Sequence, residues 1–124
     1  MKYLKLSLIA LWAFLAPIHT LILTTLFFVA VDLFTGLLAA KKRKEPITSA
    51  GLKTTVVKLL VYQSVIFLMF VCQKDMLNDL LPLVNLASTY ISITELTSIL
   101  ENLESLTGQP ILTSMIAKLS RKLK

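Results

Sequence analysis

Three charged side chains stand inside apolar stretches of this chain, and they are where chemistry is to be sought. Asp32 lies in the run from Leu6 to Ala40, whose only other ionisable side chain is His19. Lys58 opens the apolar run that continues through Cys72, and Glu95 sits in a later, less apolar stretch. A charge at the centre of a membrane span costs roughly 2.5–3.5 kcal/mol on insertion scales, so such a group is expected to face protein or water. The chemistry on offer is electrostatic, not bond-making. There is no cysteine–histidine cluster for a metal, no glycine-rich phosphate loop and no histidine beside a plausible nucleophile. No serine or threonine has a base at recognisable spacing, so no enzymatic activity, metal or cofactor is expected. The single cysteine, Cys72, permits no internal disulfide and reads as a small packing residue.

Spacing gives each charged residue a setting. Asp32 shares a helical face with Gly36 and Ala40, at steps of four, which forms a small-xxx-small stripe that lets another helix approach closely. Either this is a packing seam with one polar anchor, or Asp32 lines a pore or gates assembly. Lys58 is the expected partner. Asp32 lies nine positions before Lys41, and Lys58 six after Leu52, so at about 1.5 Å per residue both sit near 9–13 Å above the same boundary. The alternative is that Lys58 snorkels to the headgroups. Asn85, Ser88, Ser92 and Glu95 recur at steps of three and four, a polar stripe opposite Leu83, Leu86, Ile93, Leu96 and Leu100. Glu95 is either a second intramembrane carboxylate or, if its helix runs shallow, merely solvated. Glu101, Asn102 and Glu104 are expected at or beyond the cytoplasmic interface, and His19 at a solvated outer turn.

Composition says which elements must position these residues. The chain has 124 residues, 56% of them hydrophobic, with a mean hydropathy of +0.77. Only 16% are charged, against about 25% in soluble domains, and a chain this small cannot hide so much apolar surface internally. The net charge of +6 comes from clusters between apolar runs, with no aromatic interleaving, so nucleic acid is not an expected partner. The start imitates a signal peptide, but Pro17 follows Ala16 directly and the apolar run resumes at once, so an uncleaved membrane element is expected.

An all-α membrane protein is therefore predicted. Its first helix runs from about Lys2 to Ala16, ended by Pro17, and its second from Ile18 to Ala40, ended by Lys41-Lys42-Arg43-Lys44-Glu45-Pro46. The third, capped by Thr48 or Ser49, covers about Leu52 to Gln73, and the fourth starts near Leu80 and passes Asn102. Residues 1–110 form the transmembrane domain. After the break at Gly108-Gln109-Pro110, residues 111–124 form a basic amphipathic cytoplasmic tail fit to lie on an anionic leaflet. Four spans with both termini in the cytoplasm sort lysine and arginine best, leaving only Lys74 outside. The alternative has three spans, with the first helix at the interface and Lys2 and Lys5 outside.

Val31-Asp32-Leu33-Phe34-Thr35-Gly36-Leu37-Leu38-Ala39-Ala40, then a basic loop, Ser49, Gly51 and Lys58, resembles the phage-lysis and toxin-secretion holin family. That family carries an aspartate, a threonine-glycine pair, an alanine and a lysine-rich turn in this order. The later block Glu95-Leu96-Thr97-Ser98-Ile99-Leu100-Glu101-Asn102-Leu103, followed by Gly108 and Pro110-Ile111, is similar to the family's second block. The glycine expected before the lysine is missing from Thr54-Thr55-Val56-Val57. The resemblance implies a homo-oligomer in the bacterial inner membrane whose lesions release an endolysin or an exported toxin. Together, spacing and resemblance make Asp32, Thr35, Gly36, Ala40, Lys58, Asn85, Ser92, Glu95, Glu101 and Asn102 the candidate pore or assembly residues.

Other classes share parts of this pattern. A small channel or a proton-coupled small multidrug transporter also has four short spans and a membrane carboxylate, but in that transporter class the acid stands early in the first span, where this chain has none. A membrane adaptor would recruit a cytoplasmic partner through the Glu95–Gln109 segment and the basic tail. A toxin that depolarises its own host shares the physics of a holin and differs in genetic context.

Overall fold

The structure, a computed structural model, describes residues 1–124 as five helices and no strand. Helix α1 covers Lys2–Phe14, α2 His19–Lys42, α3 Ser49–Val71, α4 Leu83–Thr107 and α5 Ile111–Lys122. A 3-10 turn at Ala16–Ile18 joins α1 to α2, and a wide π turn at Cys72–Met76 prolongs α3.

Local chemistry sets these limits. Pro17 stands in the 3-10 turn, where its missing N–H costs no helical hydrogen bond. Arg43, Lys44 and Glu45 close α2. Lys44 takes the left-handed conformation (φ 57°) and the Glu45 N–H reaches back to the Ala40 carbonyl at 2.9 Å, the arrangement that satisfies the last orphan carbonyls of a helix. The Thr48 hydroxyl accepts the Gly51 N–H and starts α3. Pro82 precedes α4, so that helix starts three residues later than the predicted Leu80. Gly108, at φ +70°, ends it.

Three helices are long and apolar enough to cross a membrane: the stretches Ala16–Lys42, Ser49–Met76 and Leu83–Thr107, of 27, 28 and 25 residues. Of the two span counts left open by the sequence, these lengths match three. Helix α1 has 13 residues, which at about 1.5 Å each reach some 20 Å, short of a hydrocarbon core about 30 Å thick. The proline turn closes α1 early, and α1 does not extend the long helix behind it.

Helix α2 packs chiefly against α4, and α3 lies against both. The dry core sits where α3 turns over into α4, a region termed here the hairpin end. Ile18, Ile66, Phe70, Val84 and Ile91 form it, with Leu15, Leu21, Ile22 and Tyr62 packed around them. At the opposite, loop end, Lys42 Nζ donates to the Ser105 and Leu106 carbonyls at 3.1 and 2.7 Å, so the end of α2 caps the end of α4. Only 11 of 124 residues are buried within the chain, and large apolar side chains are exposed along every span. Lipid, or further protein, must cover that surface.

Candidate functional site

The charged residues converge in one knot that ties the three spans. Lys58 Nζ, from α3, donates to Asp32 Oδ2 of α2 at 2.7 Å. The same nitrogen stands 2.9 Å from Glu95 Oε2 of α4, a charge contact off the hydrogen-bond direction. Of the two readings of Lys58, this geometry is that of a paired group and not of a side chain reaching for headgroups. Glu95 is fully buried (0% exposed), so the alternative of a solvated Glu95 is excluded by its packing. The Tyr62 hydroxyl donates to Glu95 Oε1 at 2.7 Å.

Neutral donors complete the Asp32 side. Asn102 Nδ2 stands 3.1 Å from Asp32 Oδ1, 3.3 Å from the Asp32 carbonyl and 3.1 Å from Thr35 Oγ1. Thr35 is buried and passes its own proton to the Val31 carbonyl, 2.9 Å away. Gly36 makes room for this contact. A Cβ built there would lie 3.4 Å from Asn102 Nδ2. The small stripe on α2 therefore faces α4 of the same chain. Of the stripe, Ala40 is half-buried, whereas its neighbour Ala39, outside the predicted stripe, is fully buried at 0% exposed.

Two carboxylates and one ammonium meet here, with a phenol and an amide as neutral donors. Coulomb attraction at an effective dielectric near 20 gives about 4 kcal/mol for charges about 4 Å apart, so Lys58 is the strongest single tie among the spans. A cavity of roughly 310 Å³ opens beside the knot toward the loop end, lined by Asp32, Gly36, Ala40, Thr48, Ser98 and Asn102 among others. Asp32 thus stands at the edge of this cavity, among both polar and apolar neighbours.

Other predicted site residues fall elsewhere. Glu101 is exposed and takes no part in the knot, because it points away from the face that carries Glu95 and Asn102. Asn102, expected at or beyond the interface, is instead drawn onto Asp32. Asn85 is exposed and Ser92 half-exposed on the half of α4 nearer the hairpin end, and their side chains have no hydrogen-bond partner in the chain, nor has that of exposed Thr89. The buried face of α4 mixes Glu95 with Val84, Ile91 and Ile99, so the predicted division into a polar and an apolar face is corrected there. His19 is not a freely solvated ring. It stacks on Trp12 with centroids 4.0 Å apart, and its Nε2 is buried.

Outside the spans, Gln73 and Lys74 donate to the two Asp79 carboxylate oxygens, each at 2.9 Å, and hold that carboxyl below its ordinary range. Gln73 also accepts the Val84 N–H at 3.0 Å, which locks the hairpin end.

These features define a class: an all-α, multi-pass membrane protein whose spans are joined through a charged knot. Within that class the chain belongs to the bacteriophage holin family, whose family model matches residues 9–124. No curated protein and no solved structure matches the chain.

Proposed function

We propose that this protein is a holin that associates with its own copies in the bacterial inner membrane and forms lesions through which an endolysin, or an exported toxin, leaves. Family membership supports a holin-like membrane protein. The observation that carries the finer reading is the unpartnered polar row Asn85, Thr89 and Ser92 on α4. In hydrocarbon, polar groups without partners are costly, so this row needs water or the polar groups of a neighbour. An assembly around a wet opening supplies both. In this reading Asp32, Thr35, Gly36, Ala40, Lys58, Glu95 and Asn102 hold each copy together, Asn85 and Ser92 face the opening, and Glu101 meets solvent at the loop end.

The three-span arrangement is the one adopted in this reading. The cations Lys41, Lys42, Arg43, Lys44 and Lys53 and those of α5 fall on one side, taken as cytoplasmic by the positive-inside rule. An odd number of crossings separates the chain ends, so α1 and the hairpin end lie outside, and the arrangement with both termini in the cytoplasm is given up. Reporter fusions at Lys44 and Lys124 should report cytoplasm, and fusions at Met1 and Asn78 the outer side. Induced expression beside a co-expressed endolysin should arrest growth and release the enzyme. Normal growth with an intact membrane potential at high expression would falsify the reading.

A further inference from the structure

Two apolar features at the hairpin end have no partner within the chain. The first is α1, which exposes Leu4, Leu8, Leu11 and Trp12 and buries no residue. Beyond the 3-10 turn it touches the bundle through its C-terminal turn only, with Trp12 on His19 and the Phe14 ring edge-on to Phe70 at 5.3 Å. The second is a groove between α3 and α4 of roughly 370 Å³, lined wholly by hydrophobic residues, among them Val61, Met69, Leu83, Leu86 and Tyr90. No residue of α1 lines it. Both features lie at one level, since Phe14 rests on Phe70, the neighbour of Met69 in the groove wall.

We propose that α1 of one copy lies in the α3–α4 groove of the next. Length fits: Leu83 to Ile91 of the groove wall extends about 12 Å along α4, and α1 reaches about 20 Å. Charge fits as well. Helix α1 brings Lys2 and Lys5, while the hairpin end carries exposed Asp75, which has no ion-pair partner, and Asp79 beside it. On the three-span placement both sets are on the outer side, where like charges would otherwise gather on α1 against the positive-inside tendency. Pairing with Asp75 of a neighbour removes that mismatch.

The contact joins two different surfaces, so it is head-to-tail. Each added copy leaves one free α1 and one free groove, and such contacts close into rings or grow as open chains. The polar row of α4 lies on the flank away from the groove and stays uncovered. The proposal rests on the holin reading only for the use made of the assembly, and the two are tested apart.

The test uses full-length chain in native membranes with Cys72→Ser as background. Leu8→Cys is placed on a copy with one tag and Leu86→Cys on a copy with another. Mild oxidation should yield a dimer carrying both tags, and a chain bearing both cysteines should yield a ladder of multimers. Ala87→Trp, added to that two-cysteine chain, fills the groove and should reduce the ladder at least tenfold, with membrane insertion unchanged. Cross-links only between two Leu86→Cys copies, only within one chain, or not at all would overturn the proposal, the last leaving the groove to lipid chains. A ladder undiminished by Ala87→Trp would do the same. If cross-linking fails while the Cys72→Ser chain still releases endolysin, the holin reading stands without it. If the ladder forms and nothing is released, the interface stands and the holin reading falls.

Discussion

Lys58→Met tests the knot most directly, because one nitrogen serves two carboxylates from two other helices. Two ion pairs at about 4 kcal/mol each set a gross loss near 8 kcal/mol. Measured losses on removing one partner of a buried pair are about 3–5 kcal/mol, and snorkelling and water defects make the membrane value no larger. Lys58→Met should therefore cost about 3–5 kcal/mol. Asp32→Asn and Glu95→Gln should each cost about 1 kcal/mol, because each leaves Lys58 paired with the other acid. The double change Asp32→Asn with Lys58→Met still strands Glu95 and should recover only in part. The triple change, adding Glu95→Gln, strands nothing and should recover most. Heat-induced loss of monomer in mild detergent, followed by size exclusion, reads stability, and lysis time reads function. Lys58→Met no worse than Asp32→Asn would refute the two-sided knot, as would full recovery in the double variant.

Gly36→Leu should insert normally but cost about 1–3 kcal/mol in the same assay, because the added carbons push Asn102 off Asp32 and Thr35. Equal stability to the parent would mean that α2 and α4 do not meet at Gly36. Tyr62→Phe should cost about 1–3 kcal/mol by removing the only hydrogen-bond donor to a fully buried carboxylate, and an unchanged melting point would place water there. The folded-state carboxyl of Asp79 lies below its ordinary range through its bonds to Gln73 and Lys74. Its contribution is thus present above that range and lost as pH falls through the lowered value, so amide exchange across Asn78–Leu80 should quicken on acidification below about pH 4. Exchange independent of pH, after correction for intrinsic rates, would count against it.

Much of the knot was legible because antiparallel helices joined by a short loop share a depth scale. Counting 1.5 Å per residue from that loop brings Asp32 and Lys58 to one level, and the pair forms. Depth does not give azimuth, which is why Glu95 could be read as solvated. Tyr62 was missed although the signal was there: it follows Lys58 by four positions and so shares its face. Asn102 likewise lies two turns beyond Glu95. Its depth was misjudged because Glu101 and Glu104 flank it, yet the neighbours of a helical residue point elsewhere. The break at Pro17 was legible and divides α1 from α2 where expected; whether so short a helix crosses is a matter of length, and the 13 residues of α1 favour the three-span alternative. The Trp12–His19 stack follows from the same bend, which no periodicity encodes.

On the proposed holin reading, the knot also constrains how a lesion opens. Separating α2, α3 and α4 within one copy would leave Asp32, Lys58 and Glu95 without partners at mid-span, at a cost comparable to the Lys58→Met loss on each side. Lesion walls made of intact three-helix bundles avoid that cost. The surfaces free to change partners are then those that the knot does not use: the apolar groove between α3 and α4, the unpartnered α1, and the row Asn85, Thr89 and Ser92. Apolar surfaces suit contact between copies within lipid, and the hydroxyl and amide groups suit water. Lesion growth in this scheme adds whole copies without unfolding any. Variants that loosen the knot should consequently lower the amount of competent protein, whereas variants of the α4 row should alter the opening while leaving monomer stability unchanged.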